Sequence, residues 1–96
     1  IMIIITSEVT IAEVHWEDAL ELAKMHVESS RMEEGCISHR YLISPEIDHC
    51  IFFYEEWQNR DAIDFHFNQS YSKAISESFN LWATNEIQIN FHHVKS

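Results

Sequence analysis

Glycine and proline each occur once in the 96 residues, as Gly35 and Pro45. A single glycine leaves no material for a glycine-rich loop that cradles phosphate, and so few breakers exclude long flexible linkers. Cations are nearly as scarce. Six Lys and Arg stand against sixteen Asp and Glu, a formal net charge of −10. A chain this acidic is repelled by phosphate backbones and anionic headgroups, which excludes nucleic acid and membrane surfaces as partners. No apolar run approaches the roughly 20 residues of a membrane span. The apolar opening Ile1-Met2-Ile3-Ile4-Ile5 is too short for a signal-peptide core and has no basic flank. A cytoplasmic protein is therefore expected, with both cysteines, Cys36 and Cys50, reduced.

What is present is globular: 46% apolar and 23% charged residues, in a length that suits one domain over 1–96. Alternation of Ile3, Ile5, Val9 and Ile11 against Thr6, Glu8 and Thr10 predicts a strand over 2–11. Trp16, Ala19, Leu20, Ala23 and Val27 form the stripe of an amphipathic helix over 15–32, with Gly35 placed to close it in a left-handed conformation. Two strands follow, 36–44 and 49–58, around a turn centred on Glu46. That register pairs Leu42 with Cys50 and Ser38 with Tyr54, and keeps Cys36 and Cys50 too far apart for a disulfide. Asn59 caps a short helix over 60–67. Ser70 caps another over 71–83, with Ala74, Ile75, Ser78 and Trp82 on its stripe. A last strand alternates over 85–94.

The order β-α-β-β-α-β, its second helical region broken in two, predicts a ferredoxin-like α+β fold: a four-stranded antiparallel sheet with helices on one face. The other face would carry Met2, Ile4, Leu42, Phe52 and Tyr54 beside Thr6, Arg40, Glu56, Gln88 and Asn90. That mixture suits a subunit interface, and a homodimer is expected.

Histidine is the compositional outlier, at seven residues. No two lie at a chelating spacing within one element, and adjacent His92 and His93 point to opposite faces of a strand, so no metal site is expected. Glu55, Trp57, His39 and Tyr41 alternate onto the helix-covered face, and His66 on the short helix can turn back over them. A carboxylate and an imidazole meeting in an apolar pocket make a tuned general base. Tyr71 can add a phenolic hydroxyl. Glu33-Glu34 reads as a solvated helix end.

Three segments in order, Glu33-Glu34-Gly35-Cys36, then Tyr54-Glu55-Glu56-Trp57, then Ala62 and His66 ahead of Ser70-Tyr71-Ser72-Lys73-Ala74, resemble the antibiotic biosynthesis monooxygenase family. The resemblance follows the element order along nearly the whole chain and is sharpest over 33–74. It implies a dimeric α+β barrel. Family members include cofactor-independent monooxygenases of phenolic or quinol-like aromatics, haem-degrading enzymes and a sugar-phosphate isomerase. The haem branch carries a ligand in the stretch that here reads Ala74-Ile75-Ser76-Glu77, and an Asn on the first strand that is absent near Ser7. Ser70-Tyr71 stands where many relatives have Pro-His.

The resemblance thus implies oxidation of a small aromatic molecule by dioxygen without a cofactor. His66 would act as base and Glu55 as its support, with Trp57, Tyr41, Tyr71 and His39 binding the substrate. Isomerisation of a small phosphorylated sugar derivative, or a dimeric binding module without catalysis, are the alternatives. The isomerase would need cations in the pocket, where Lys73 is the nearest candidate.

Overall fold

The computed structural model describes residues 2–95. Strand β1 (Met2–Thr10) is followed by a 3₁₀ turn (Glu13–His15) and helix α1 (Trp16–Ser30), then strands β2 (Cys36–Ile43) and β3 (Cys50–Trp57). Helices α2 (Arg60–Phe67) and α3 (Ser70–Trp82) precede strand β4 (Gln88–Val94). The sheet order is β2-β3-β1-β4 with every pairing antiparallel, the ferredoxin-like arrangement.

The alternation in β1 is realised as a ladder whose odd members Ile3, Ile5 and Val9 are buried beneath the helices. Helix α1 buries Ala19, Ala23 and Val27 against this face, and also His26 and Ser30, which extend the same stripe. The main core joins Val9, Ile11, Ile51, Phe53, Ile75 and Phe79 with the alanines of α1, while a second cluster gathers Ile3, Ile5, Ile63 and Trp57 under α2.

The β2–β3 register differs from the expected one by two residues. Arg40 pairs with Tyr54 and Leu42 with Phe52. Ser44 Oγ accepts from the backbone N–H groups of Glu46 and Ile47 at 3.2 and 3.1 Å, and His49 takes a left-handed conformation (φ 57°), so the connection is longer than a turn centred on Glu46. A shift of two preserves parity, so each side chain keeps its expected face. Cys36 and Cys50 lie at opposite ends of the hairpin, and both are free thiols.

Two end signals act differently from their sequence reading. Asn59 does cap α2, accepting from the Ala62 N–H at 2.9 Å. Ser70 is instead the first residue of α3, whose N-cap is Gln69, and the buried stripe of that helix runs through Ser72, Ile75 and Phe79 rather than Ala74. Gly35 does not adopt a positive φ. It is required by proximity: a Cβ there would collide with the Ala62 side chain of α2. Gly35→Ala should therefore destabilise the fold by about 1–3 kcal/mol through overpacking. In denaturant unfolding, Ala62→Gly should recover much of that loss in the double variant. Additive losses would show that the contact is not the cause.

The opposite face carries half-buried Ile4, Phe52 and Tyr54 with exposed Leu42. Polar groups there are already paired: Ser38 and Tyr54 hydroxyls donate to Glu56 at 2.6 and 3.0 Å, and the Arg40 guanidinium sits over the Tyr54 ring. Among the described residues, no helix is long and apolar enough to cross a membrane.

Candidate functional site

Helices α1 and α2 cover the sheet beside β2 and β3, and four elements direct side chains into the space between. His26 comes from α1, His39 from β2, Glu55 and Trp57 from β3, and His66 from α2, all buried. Their rings form one cluster. His26 lies 5.3 Å from His39 and 5.2 Å from His66 between centroids, and His39 lies 5.7 Å from His66. Trp57 flanks the His66 ring at 4.5 Å.

The carboxylate held by His66 is not the expected one. Its Nδ1 lies 2.9 Å from Glu33 Oε2, with the Ser72 hydroxyl at 3.5 Å, and the Tyr71 hydroxyl donates to the same Glu33 oxygen. Glu33 belongs to the α1–β2 connection, and the close approach of Gly35 to α2 explains how that connection reaches His66. Its side chain is only 8% exposed, which corrects the reading of a solvated helix end; Glu34 does remain exposed. Glu55 turns elsewhere. The Trp57 indole N–H donates to its Oε1 at 2.9 Å, and His39 Nε2 stands 3.4 Å from that oxygen.

Burial dominates the protonation of the cluster. Desolvation drives His66 and His26 down to about 4, the latter also through the charge of His66, and His39 to about 2. The imidazoles are thus neutral at physiological pH. The same cause lifts Glu33 to about 7, and Glu55 also to about 7 against the pull of its Trp57 hydrogen bond. Cys36 is raised to about 11 by burial and by Glu33 and Glu55, so it is a poor nucleophile.

Beside the cluster opens a cleft of about 810 Å³ between α3 and β4. Volumes of this order accept a small organic molecule. Glu55, His66, His26 and Ser72 supply polar groups to its wall, against Phe53 and Phe79. Of the residues singled out in the sequence, His66 and Glu55 reach this wall, and Trp57, His39, Tyr41 and Tyr71 do not. Trp57 is wholly buried behind His66, and Tyr41 packs on the main core. His26 and Glu33 join the site although neither is among the site residues that the sequence pattern singles out, Glu33 having the signature of a solvated helix end. His26 was detectable in principle, because it falls three residues after Ala23 on the buried stripe.

The model of the family described as antibiotic biosynthesis monooxygenase matches residues 2–78. The chain belongs to that family. A Synechocystis protein named "Uncharacterized protein sll1783" is 32% identical over 69 residues, covering 72% of this chain, which spans about half the length of that relative (47%). A solved Bacteroides thetaiotaomicron protein of unknown function, described as a "Possible Oxidoreductase", superposes with a TM-score of 0.87 at 25% identity over 95% of each chain. A crystal structure of an antibiotic biosynthesis monooxygenase gives a TM-score of 0.90 at 18% identity, over 98% of this chain and 99% of that one, which shows the shared fold. Within the antibiotic biosynthesis monooxygenase fold of this chain, the site lies between the helices and the sheet.

Proposed function

We propose that this chain is a cofactor-independent monooxygenase that oxidises a small phenolic or quinol-like aromatic with dioxygen. The observation that carries the reading is a neutral, buried imidazole on the wall of a cleft of ligand size, backed by a carboxylate: His66 with Glu33 on its Nδ1. A hydroquinone becomes reactive toward dioxygen once deprotonated. His66 takes that proton on Nε2, and ionised Glu33 stabilises the imidazolium through Nδ1–H. The ring carbon of the resulting anion bonds to dioxygen, and the peroxide accepts the proton from His66. Loss of water then breaks the O–O bond and leaves a carbonyl on that carbon. One hydroquinone and one dioxygen give one hydroxyquinone and one water, so the substrate itself supplies all four electrons.

Glu55, also on the wall, is placed to accept a hydrogen bond from a substrate hydroxyl. Trp57 holds the His66 ring from behind, and Phe53 and Phe79 face the aromatic ring and exclude water. The isomerase alternative has less support, because Lys73 is the one cationic side chain on the cleft wall among the described residues. The open face of the sheet, where half-buried Ile4, Phe52 and Tyr54 lie among paired polar groups, supports a homodimer formed through those three residues. Phe52→Glu should convert the dimer to monomer in sedimentation velocity. An unchanged sedimentation coefficient would place the interface elsewhere.

The test of activity is oxygen uptake by metal-stripped protein across a panel of hydroquinones and polyphenols. Uptake above the spontaneous rate for at least one member is expected. Uptake equal to buffer across the panel would favour a binding module.

A further inference from the structure

We propose that His26, His39 and His66 together form a binding site for one divalent first-row transition metal ion, with an open coordination position toward the cleft. Each imidazole comes from a different element, and one ring nitrogen from each lies within 4.8 Å of the others. Three nitrogens bound tetrahedrally at about 2.0–2.1 Å from a zinc-sized ion stand about 3.4 Å apart, so small side-chain rotations close the site.

The hydrogen bonding points the same way. His39 is 1% exposed, yet neither of its ring nitrogens has a hydrogen-bond partner, and His26 Nδ1 is also buried without one. Glu55 approaches His39 Nε2 at 3.4 Å but makes no hydrogen bond to it. Buried polar atoms ordinarily find partners, and convergent lone pairs from three neutral imidazoles are what a borderline-soft cation accepts. His66 uses Nδ1 for Glu33 and keeps Nε2 for the ion, which is the carboxylate–histidine–metal pattern that fixes a ligand's tautomer. His26 and His66 both line the cleft, which gives the ion its entry path and leaves one position facing it.

This site goes beyond the oxygenation proposed above and rests chiefly on the three-histidine geometry and the unpartnered ring nitrogens. Metal and substrate proton compete for the same His66 lone pair, so loading is measured on the protein without substrate. Metal-free protein is titrated with Co(II), followed by its visible absorption, and Co(II) is then displaced with Zn(II). One Co(II) per chain is expected, with the intense bands of low coordination. His39→Gln should weaken binding roughly 100-fold or more, beyond the effect of losing an outer-shell partner. His92→Gln and His93→Gln, on β4, should leave it unchanged.

If circular dichroism shows His39→Gln unfolded, His26→Gln provides the same comparison. In the wild-type protein, ¹⁵N-histidine NMR should show three of the seven ring systems shifting on Zn(II) addition. Absence of stoichiometric binding would overturn the site. So would binding that survives loss of His39 or His26, or NMR shifts confined to His15, His49, His92 and His93. Oxygen uptake by metal-free protein is a separate readout: its failure would leave the metal site standing, and failure of Co(II) binding would leave the oxygenase reading standing.

Discussion

His66→Ala should bring protein-dependent oxygen uptake down by at least about 100-fold, toward the spontaneous rate, since positioned general bases contribute roughly 10²–10⁴. The ring is 2% exposed and packed against Trp57, so its removal leaves a cavity as well as a missing base. His66→Gln separates the two effects. It keeps most of the volume and a hydrogen bond toward Glu33 but offers no basic nitrogen. Equal loss in both variants, with near-native melting for His66→Gln, assigns the effect to proton transfer. Undiminished turnover in either would remove His66 as the base.

Glu33→Gln should lower the rate by about 10- to 100-fold, the equivalent of one charge-assisted hydrogen bond at about 1.5–3 kcal/mol. Its pH profile is the more specific signature. Burial lifts the Glu33 carboxyl to about 7, so below neutrality it is protonated and cannot support an imidazolium. Above it, the carboxylate is ionised, and the rate should rise with pH through about 7. In Glu33→Gln that step should be absent and the residual rate flat across the range. Glu55 is lifted to about 7 as well, which makes Glu55→Gln the necessary comparison. A step that survives in Glu33→Gln and vanishes in Glu55→Gln would return the supporting role to the β3 carboxylate.

The fold was legible because its signals are local. Period-two alternation in β1 and β3, the α1 stripe and the Asn59 cap each act within a few residues. Even the two-residue register shift of the hairpin left the face assignments intact, since parity decides them. The site was legible only in part. His66 and Glu55 could be placed together because sheet alternation and the following helix fix both. Glu33 could not, because its position beside His66 depends on how closely Gly35 approaches Ala62, a tertiary contact with no periodicity. The histidine cluster was missed for a related reason. Its members are 13 and 27 residues apart in sequence and sit on three elements, whereas a chelating spacing shows in a sequence only within one element.

Turnover under ¹⁸O₂ with metal-stripped protein decides whether one oxygen atom of dioxygen enters a deprotonated aromatic substrate. One labelled atom is expected in the hydroxyquinone and the other in water, with His66→Ala producing neither above background. Unlabelled product accompanied by hydrogen peroxide would contradict it, because the chain would then be removing electrons without transferring oxygen.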